Sequence, residues 1–206
     1  VQTCALPIYS DIGFGESSFV DPASGYDPFN VHDGVLTITA VPDRTASGYP
    51  GSWESGLITT QNSFTQTYGY FEISASLPHG QGLWPAFWMI GEQNKEIDIL
   101  EGLGSDTRVA NNAIHSASVP ALGNASFNPY GDGFHKYGVL WDPQHITFYV
   151  DSVQVWQTGT PAEMNSPMRM IVNLAVGGNW PGSPDASTPW PAQMQIDYIR
   201  AYRFAP

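Results

Sequence analysis

The sequence is short of positive charge. Seven Lys and Arg stand against nineteen Asp and Glu in 206 residues, a formal net charge of −12. A chain this acidic has no basic footprint for phosphate, which argues against nucleic acid and anionic lipid as partners. It would also repel a strongly anionic polysaccharide over long range, so a neutral substrate fits better. Cysteine is nearly absent: Cys4 stands alone, no intrachain disulfide can form, and the redox compartment is left open. No run of about 18 apolar residues occurs, so no membrane span is expected. His32, His79, His135 and His145 show no metal-ligand spacing. Helix signals are scarce, with one short turn expected over 161–165. There is no fixed-period repeat, no internal linker and no signal peptide in this stretch.

What the chain does have is turn residues and aromatics. Gly (21) and Pro (17) are abundant while only 13% of residues are charged, a composition of many short strands joined by turns. At 206 residues one domain with a sizeable core is expected. Alternating or apolar runs predict strands over 31–41 (around an Asp33-Gly34 turn), 68–77, 83–90, 96–103, 113–118, 136–141, 145–150, 153–157, 168–175 and 193–203. Asp151-Ser152 reads as a hairpin turn. This pattern is that of a β-sandwich or jelly roll. Seven Trp and ten Tyr suit a carbohydrate site, where rings stack on sugar faces, or equally an aromatic core.

The most informative stretch is Glu96-Ile97-Asp98-Ile99-Leu100-Glu101. Glu96 and Asp98 share one strand face, because side chains repeat every two residues. Glu101 has the wrong parity, and one extra residue, a bulge, would bring it round to join them. Three like charges on one face are unfavourable unless a function holds them there. A solvated face and a Ca²⁺ or Mg²⁺ site are the competing readings. Two carboxyl groups about 5–5.5 Å apart would suit a retaining glycosidase. Trp84 and Trp88, four apart, should share a face, either as a stacking platform or within the core.

With its surroundings the motif resembles family 16 of the glycoside hydrolases. The matching segments are Gly82-Leu83-Trp84-Pro85-Ala86-Phe87-Trp88-Met89, Ala113-Ile114-His115-Ser116, Phe134-His135-Lys136-Tyr137, Asn173-Leu174-Ala175-Val176-Gly177-Gly178-Asn179-Trp180-Pro181-Gly182 and Asp197-Tyr198-Ile199-Arg200. They run in order from about Gly15 to Tyr202. The resemblance implies an all-β, concanavalin-like jelly roll of two antiparallel sheets with a concave cleft, and the bulged form of the motif. It implies Glu96 as nucleophile, Glu101 as general acid/base and Asp98 hydrogen-bonded between them, with no cofactor for the chemistry. Trp84, Trp88, His115, Asn173, Trp180 and Glu16 become cleft residues, His115 reaching Glu101 or an acceptor sugar. A structural Ca²⁺ would be held by Asp197 and the backbone of Gly34. Phe14 replaces a frequent Asn, and Tyr70 a frequent Arg. The family's first strand is missing, so residues 1–10 read as a non-family arm and 11–206 as a single catalytic domain.

The implied function is that of a secreted, monomeric, endo-acting retaining hydrolase. Its polysaccharide substrate would be β-1,3 or mixed β-1,3-1,4 glucan. The alternatives are the same mechanism on an agarose-type galactan or bacterial exopolysaccharide, and a non-catalytic lectin-like module.

Overall fold

The computed structural model describes residues 6–7, 14–42, 53–127 and 132–205. Its strands are β1 (Leu6–Pro7), β2 (Ser17–Phe19), β3 (Phe29–His32), β4 (Val35–Pro42), β5 (Trp53–Ser55), β6 (Leu57–Thr59), β7 (Gly69–Ser76) and β8 (Leu83–Ile90). They continue as β9 (Glu96–Leu103), β10 (Asp106–His115), β11 (Leu122–Phe127), β12 (His135–Trp141), β13 (His145–Val150), β14 (Val153–Gly159), β15 (Arg169–Val176) and β16 (Ala192–Tyr202). One sheet has the order β1-β6-β15-β8-β9-β10-β11. The other runs β14-β13-β12-β7-β16-β4-β5-β2, with β3 paired to β4. All pairings are antiparallel except that of β2 with β5.

The sandwich follows from period-two patterning. On β7, Phe71, Ile73 and Ala75 are buried in the main core; on β15, Met170, Val172, Leu174 and Val176 face them from the first sheet. Trp141, Tyr137, Phe148 and Phe87 fill the space between. Two tight hairpins fix register. Asp33 and Gly34 take φ of 50° and 82°, and Asp151 and Ser152 take 49° and 66°, the left-handed pair that matches strand twist. Outside the core a second, smaller apolar cluster gathers Phe19, Leu57, Ile171 and Ala175 under Phe14, Trp84 and Trp88. It forms the floor of the cleft.

Several elements differ from the sequence reading. β10 is longer and ends at His115, because Asn111 and Asn112 are held by backbone carbonyls of β9 rather than by an apolar pattern. Strands β2, β5 and β6 span three residues each, too short for a period to show. Residues 161–165 form the turn expected there, and 3₁₀ turns that were not expected lie at Pro22–Ser24 and Glu92–Asn94. Pro22 supplies its own φ there, and the Asp21 carboxylate accepts from Ala23 N at 2.8 Å. Within the expected N-terminal arm, Leu6 and Pro7 pair with Thr59 and Ile58 at a sheet edge. The expected boundary at residues 10 and 11 lies outside the described residues.

Candidate active site

The bulge is where the parity argument requires it. Between β9 and β10, Asp98 opposes Ala113 and Glu101 opposes Asn111, so three steps on β9 match two on β10. Between β8 and β9, Asp98 opposes Trp88 and Leu100 opposes Phe87, again one residue extra on β9. The face therefore switches across Ile99-Leu100. Ile97, Ile99 and Leu100 are all buried in the core, while Glu96, Asp98 and Glu101 line a cavity of about 250 Å³ together with Phe14, Trp84, Ala86 and Trp88. Pro85 lies inside β8, where a missing N–H normally excludes proline. Its ring lies against Gly102, where even a Cβ would come within 3.1 Å of the ring.

Each carboxylate has a distinct setting. Trp84 Nε1 donates to Glu101 Oε1 at 3.2 Å. Asp98 is nearly sealed from solvent, and its Oδ2 lies 3.1 Å from His115 Nε2. Glu96 Oε1 is 4.0 Å from the same nitrogen, and Glu96 shares a hydrogen bond with Asp98. His115 Nδ1 donates to the Pro120 carbonyl at 2.8 Å. A carbonyl at Nδ1 and a carboxylate beside Nε2 both favour the doubly protonated, cationic ring, although the Asp98 Oδ2 contact is not an aligned hydrogen bond. The His115 pKa is pushed up to about 9, chiefly by the side-chain contact with Asp98.

Burial first, and the Asp98 charge second, raise both glutamates. Glu96 is pushed to about 8 and Glu101 to about 7. The His115 cation opposes the rise in both, and the Trp84 N–H opposes it in Glu101. The cluster thus holds fewer negative charges at neutral pH than it has carboxyl groups. His115, Glu96 and Asp98 also offer one donor atom each within 4.8 Å of one another. A cation there would have to displace the His115 proton.

The other expected cleft residues are brought in with corrections. Trp84 and Trp88 both line the cavity, as their shared parity predicts. Asn173 is fully buried; its Oδ1 accepts from Trp88 Nε1 at 2.9 Å, and its Nδ2 has no partner among the described residues. Trp180 is 45% exposed and stands edge-on to Trp84 at 5.3 Å, on the rim. His115 meets Asp98 and Glu96 rather than Glu101, because its row in the sheet is that of Glu96. Glu16 is exposed, lies over Gly177 and is not part of the cavity lining. Phe14, which replaces a frequent Asn, lines the cavity. Its ring meets Trp84 at 5.6 Å and Trp88 at 6.2 Å, both edge-on. Phe14 stands immediately before the Gly15-Glu16 pair and carried no signal beyond being aromatic. Tyr70 lies off the cleft, on the outer face of the other sheet, where its hydroxyl donates to Glu72 at 2.7 Å.

Asp197 is exposed at a second register shift, between Ile196 and Tyr198, one step past the pair Ile196–Leu36. That brings it alongside the hairpin of the exposed Gly34. Both offer hard oxygen donors of the type calcium takes. A larger hollow of about 690 Å³ beside Phe64, Arg200 and Tyr202 has no carboxylate among its described lining residues, whereas the smaller cavity holds all three carboxyl groups of the motif.

A two-sheet jelly roll with paired carboxyl groups on an aromatic concave floor defines a class of carbohydrate-active proteins. Residues 20–200 match the family described as glycosyl hydrolases family 16, and the chain belongs to that family. It is 42% identical over 192 residues to endo-1,3-1,4-beta-glycanase EglC of Rhizobium meliloti, covering 88% of this chain and 41% of that protein. It is 32% identical to the beta-glucanase of Rhodothermus marinus, over 84% of this chain and 70% of that one. The laminarinase catalytic domain of Thermotoga maritima superposes with a TM-score of 0.85 at 32% identity, covering 93% of this chain and 84% of that one. The chain spans 41% of the length of the first curated relatives that it matches.

Proposed function

We propose that this chain is an endo-acting, retaining glycoside hydrolase that cleaves β-1,3 or mixed β-1,3-1,4 glucan outside the cell. The observation that carries the reading is the bulged strand, which brings Glu96 and Glu101 onto one wall of an aromatic cavity. Glu96 attacks the anomeric carbon while Glu101 protonates the departing oxygen. Glu101 then takes a proton from the water that releases the glycosyl group. The reacting microstate has Glu96 ionised and Glu101 protonated. The His115 cation favours the ionised form of Glu96 against burial and the Asp98 charge, which favour the neutral form, and the hydrogen bond shared with Asp98 holds Glu96 in place. Trp84, Trp88 and Phe14 provide apolar faces for sugar rings, and the Asn173 Nδ2 is a donor awaiting an oxygen.

Related names support the substrate class: a relative named glucan endo-1,3-beta-glucosidase A1, from Niallia circulans, is 30% identical over 93% of this chain. The substrate-binding residues, a monomeric state and a calcium ion at Gly34 and Asp197 belong to the same proposal. The test is reducing-sugar release from laminarin and barley glucan, with product sizing, for wild type and Glu96→Gln. Short oligosaccharides from wild type and none from the variant are expected. Turnover by Glu96→Gln at the wild-type rate would overturn the assignment.

A further inference from the structure

Arg169 opens β15, and alternation along that strand decides where it lies. Met170, Val172, Leu174 and Val176 face the main core, whereas Ile171 and Ala175 belong to the cleft-floor cluster and Asn173 bonds Trp88. Arg169 has the parity of Ile171 and Asn173 and therefore stands on the cleft side. The register sets Arg169 opposite Ile90, Ile90 opposite Glu96, and Glu96 opposite His115. The four form one row across the concave sheet. Two strand spacings, about 10 Å, separate Arg169 from Glu96.

The state of this guanidinium is unusual for the chain. Arg169 is half-buried, its Nε is shut off from solvent, and that nitrogen has no hydrogen-bond acceptor among the described residues. No carboxylate pairs with Arg169 among the described residues, whereas Arg108 is paired with Asp106 at 2.8 Å. The nearest acids on the floor are committed: Glu96 and Asp98 hold each other and His115. A desolvated donor without an acceptor is destabilising, and a guanidinium presents five donors in a plane that matches a carboxylate. The chain has seven Lys and Arg at a net charge of −12, and among the described ones Arg169 alone has a buried nitrogen without a hydrogen-bond partner, on the cleft side of the sheet.

We propose that Arg169 is a binding determinant for a carboxylate-bearing substituent on the glucan, carried by a sugar beyond the one being cleaved. The inference rests on the glucan-cleaving reading of the same cleft. A polyanion would still be repelled by the net charge. A sparse carboxylate is screened from that field beyond about 8 Å at physiological salt, while the guanidinium fork acts at contact.

The experiment compares barley glucan with the same glucan lightly carboxymethylated. In Arg169→Gln the ratio of kcat/KM for the carboxymethylated over the neutral polymer should fall about tenfold, equivalent to about 1.4 kcal/mol. Arg169→Lys should lose part of that ratio, keeping the charge but not the fork. The wild-type ratio should also fall between about 20 mM and 300 mM salt. A ratio unchanged in both variants, or insensitive to salt, would overturn the proposal. A parallel arm measures binding of carboxymethylated and neutral glucan oligosaccharides to Glu96→Gln and to Glu96→Gln/Arg169→Gln by calorimetry. Loss of the preference in the double variant supports the site even if neither polymer is hydrolysed, and equal preference refutes it. Absence of hydrolysis by wild type would count against the hydrolase reading alone.

Discussion

His115 Nε2 lies 3.1 Å from Asp98 Oδ2, at the one carboxyl group of the cluster that solvent barely reaches. The buried anion is thereby matched by a cation whose second proton is held by the Pro120 carbonyl. Both glutamates feel that cation, which lowers their pKa values against burial. The pair should give a bell-shaped kcat/KM profile with apparent limbs near 7 and 8, properties of the pair rather than of either residue. His115→Gln removes the charge, so both limbs should move to higher pH. A pH–rate series on laminarin checks this; limbs that move down would reverse the sign of the argument.

Glu96→Gln should be inactive yet more stable than wild type in alkali. The sign follows from the direction of the shift: the folded pKa, about 8, lies above the unfolded value, 4.5. The neutral form is therefore favoured by folding. Its stability contribution is complete below pH 4.5 and lost as pH rises through 8. Gln cannot ionise and escapes that loss. The expected gain above pH 8 is roughly 1–2 kcal/mol after allowing for solvent screening, a few degrees in Tm. Melting curves at pH 5 and pH 9 measure it, and the gain should be confined to the higher pH.

Trp84→Phe should keep most of the cleft's apolar surface and remove the N–H that bonds Glu101. That hydrogen bond favours the ionised acid. Without it Glu101 stays protonated to higher pH, and the alkaline limb should move up. Trp84 is only half-buried and belongs to the cleft floor, so the melting temperature should change far less than the several kcal/mol of a core truncation would require.

The carboxylate motif, its bulge and the shared face of the two tryptophans were legible because β9 and β8 are eight residues long, enough for a period and its break to show. So were the Asp33-Gly34 and Asp151-Ser152 hairpins, whose backbone demands residues of that kind. The partners of His115 were not legible. They depend on which rows of two strands meet, and that follows from the bulge and from where β10 ends. Phe14 was hidden for a similar reason: it reaches the floor from the segment before β2, through contacts with Trp84, Trp88 and Phe19 that no local pattern encodes.

Gly102→Val should destabilise by about 1–3 kcal/mol. A Cβ at this position already comes to 3.1 Å from both Pro85 Cγ and Leu77 Cδ1, and the proline ring cannot rotate away. Thermal unfolding checks the loss. Gly102→Ala, with no branch, should fall between the two.

Calcium should raise the melting temperature through the oxygen donors at Asp197 and Gly34. Asp197→Ala should then abolish the rise without altering the pH–rate profile. Gly34 lies in the hairpin after β3 and Asp197 on β16, whereas Glu96, Asp98 and Glu101 are on the other sheet. A titration with and without chelator, followed by scanning fluorimetry, reads both.

Ile99 makes β9 longer than the distance it has to cover. Between the same two rungs it carries one residue more than β8 and one more than β10, yet it is hydrogen-bonded to both. A chain segment too long for its span must buckle, and here the buckle lies midway between Glu96 and Glu101. Side-chain facing is therefore set by a single count. An even count of steps between Asp98 and Glu101 would need no bulge, whereas the three steps of this chain put Glu101 on the cleft face only with one. The one surplus residue is thus what sets the third carboxyl group of the strand beside the other two.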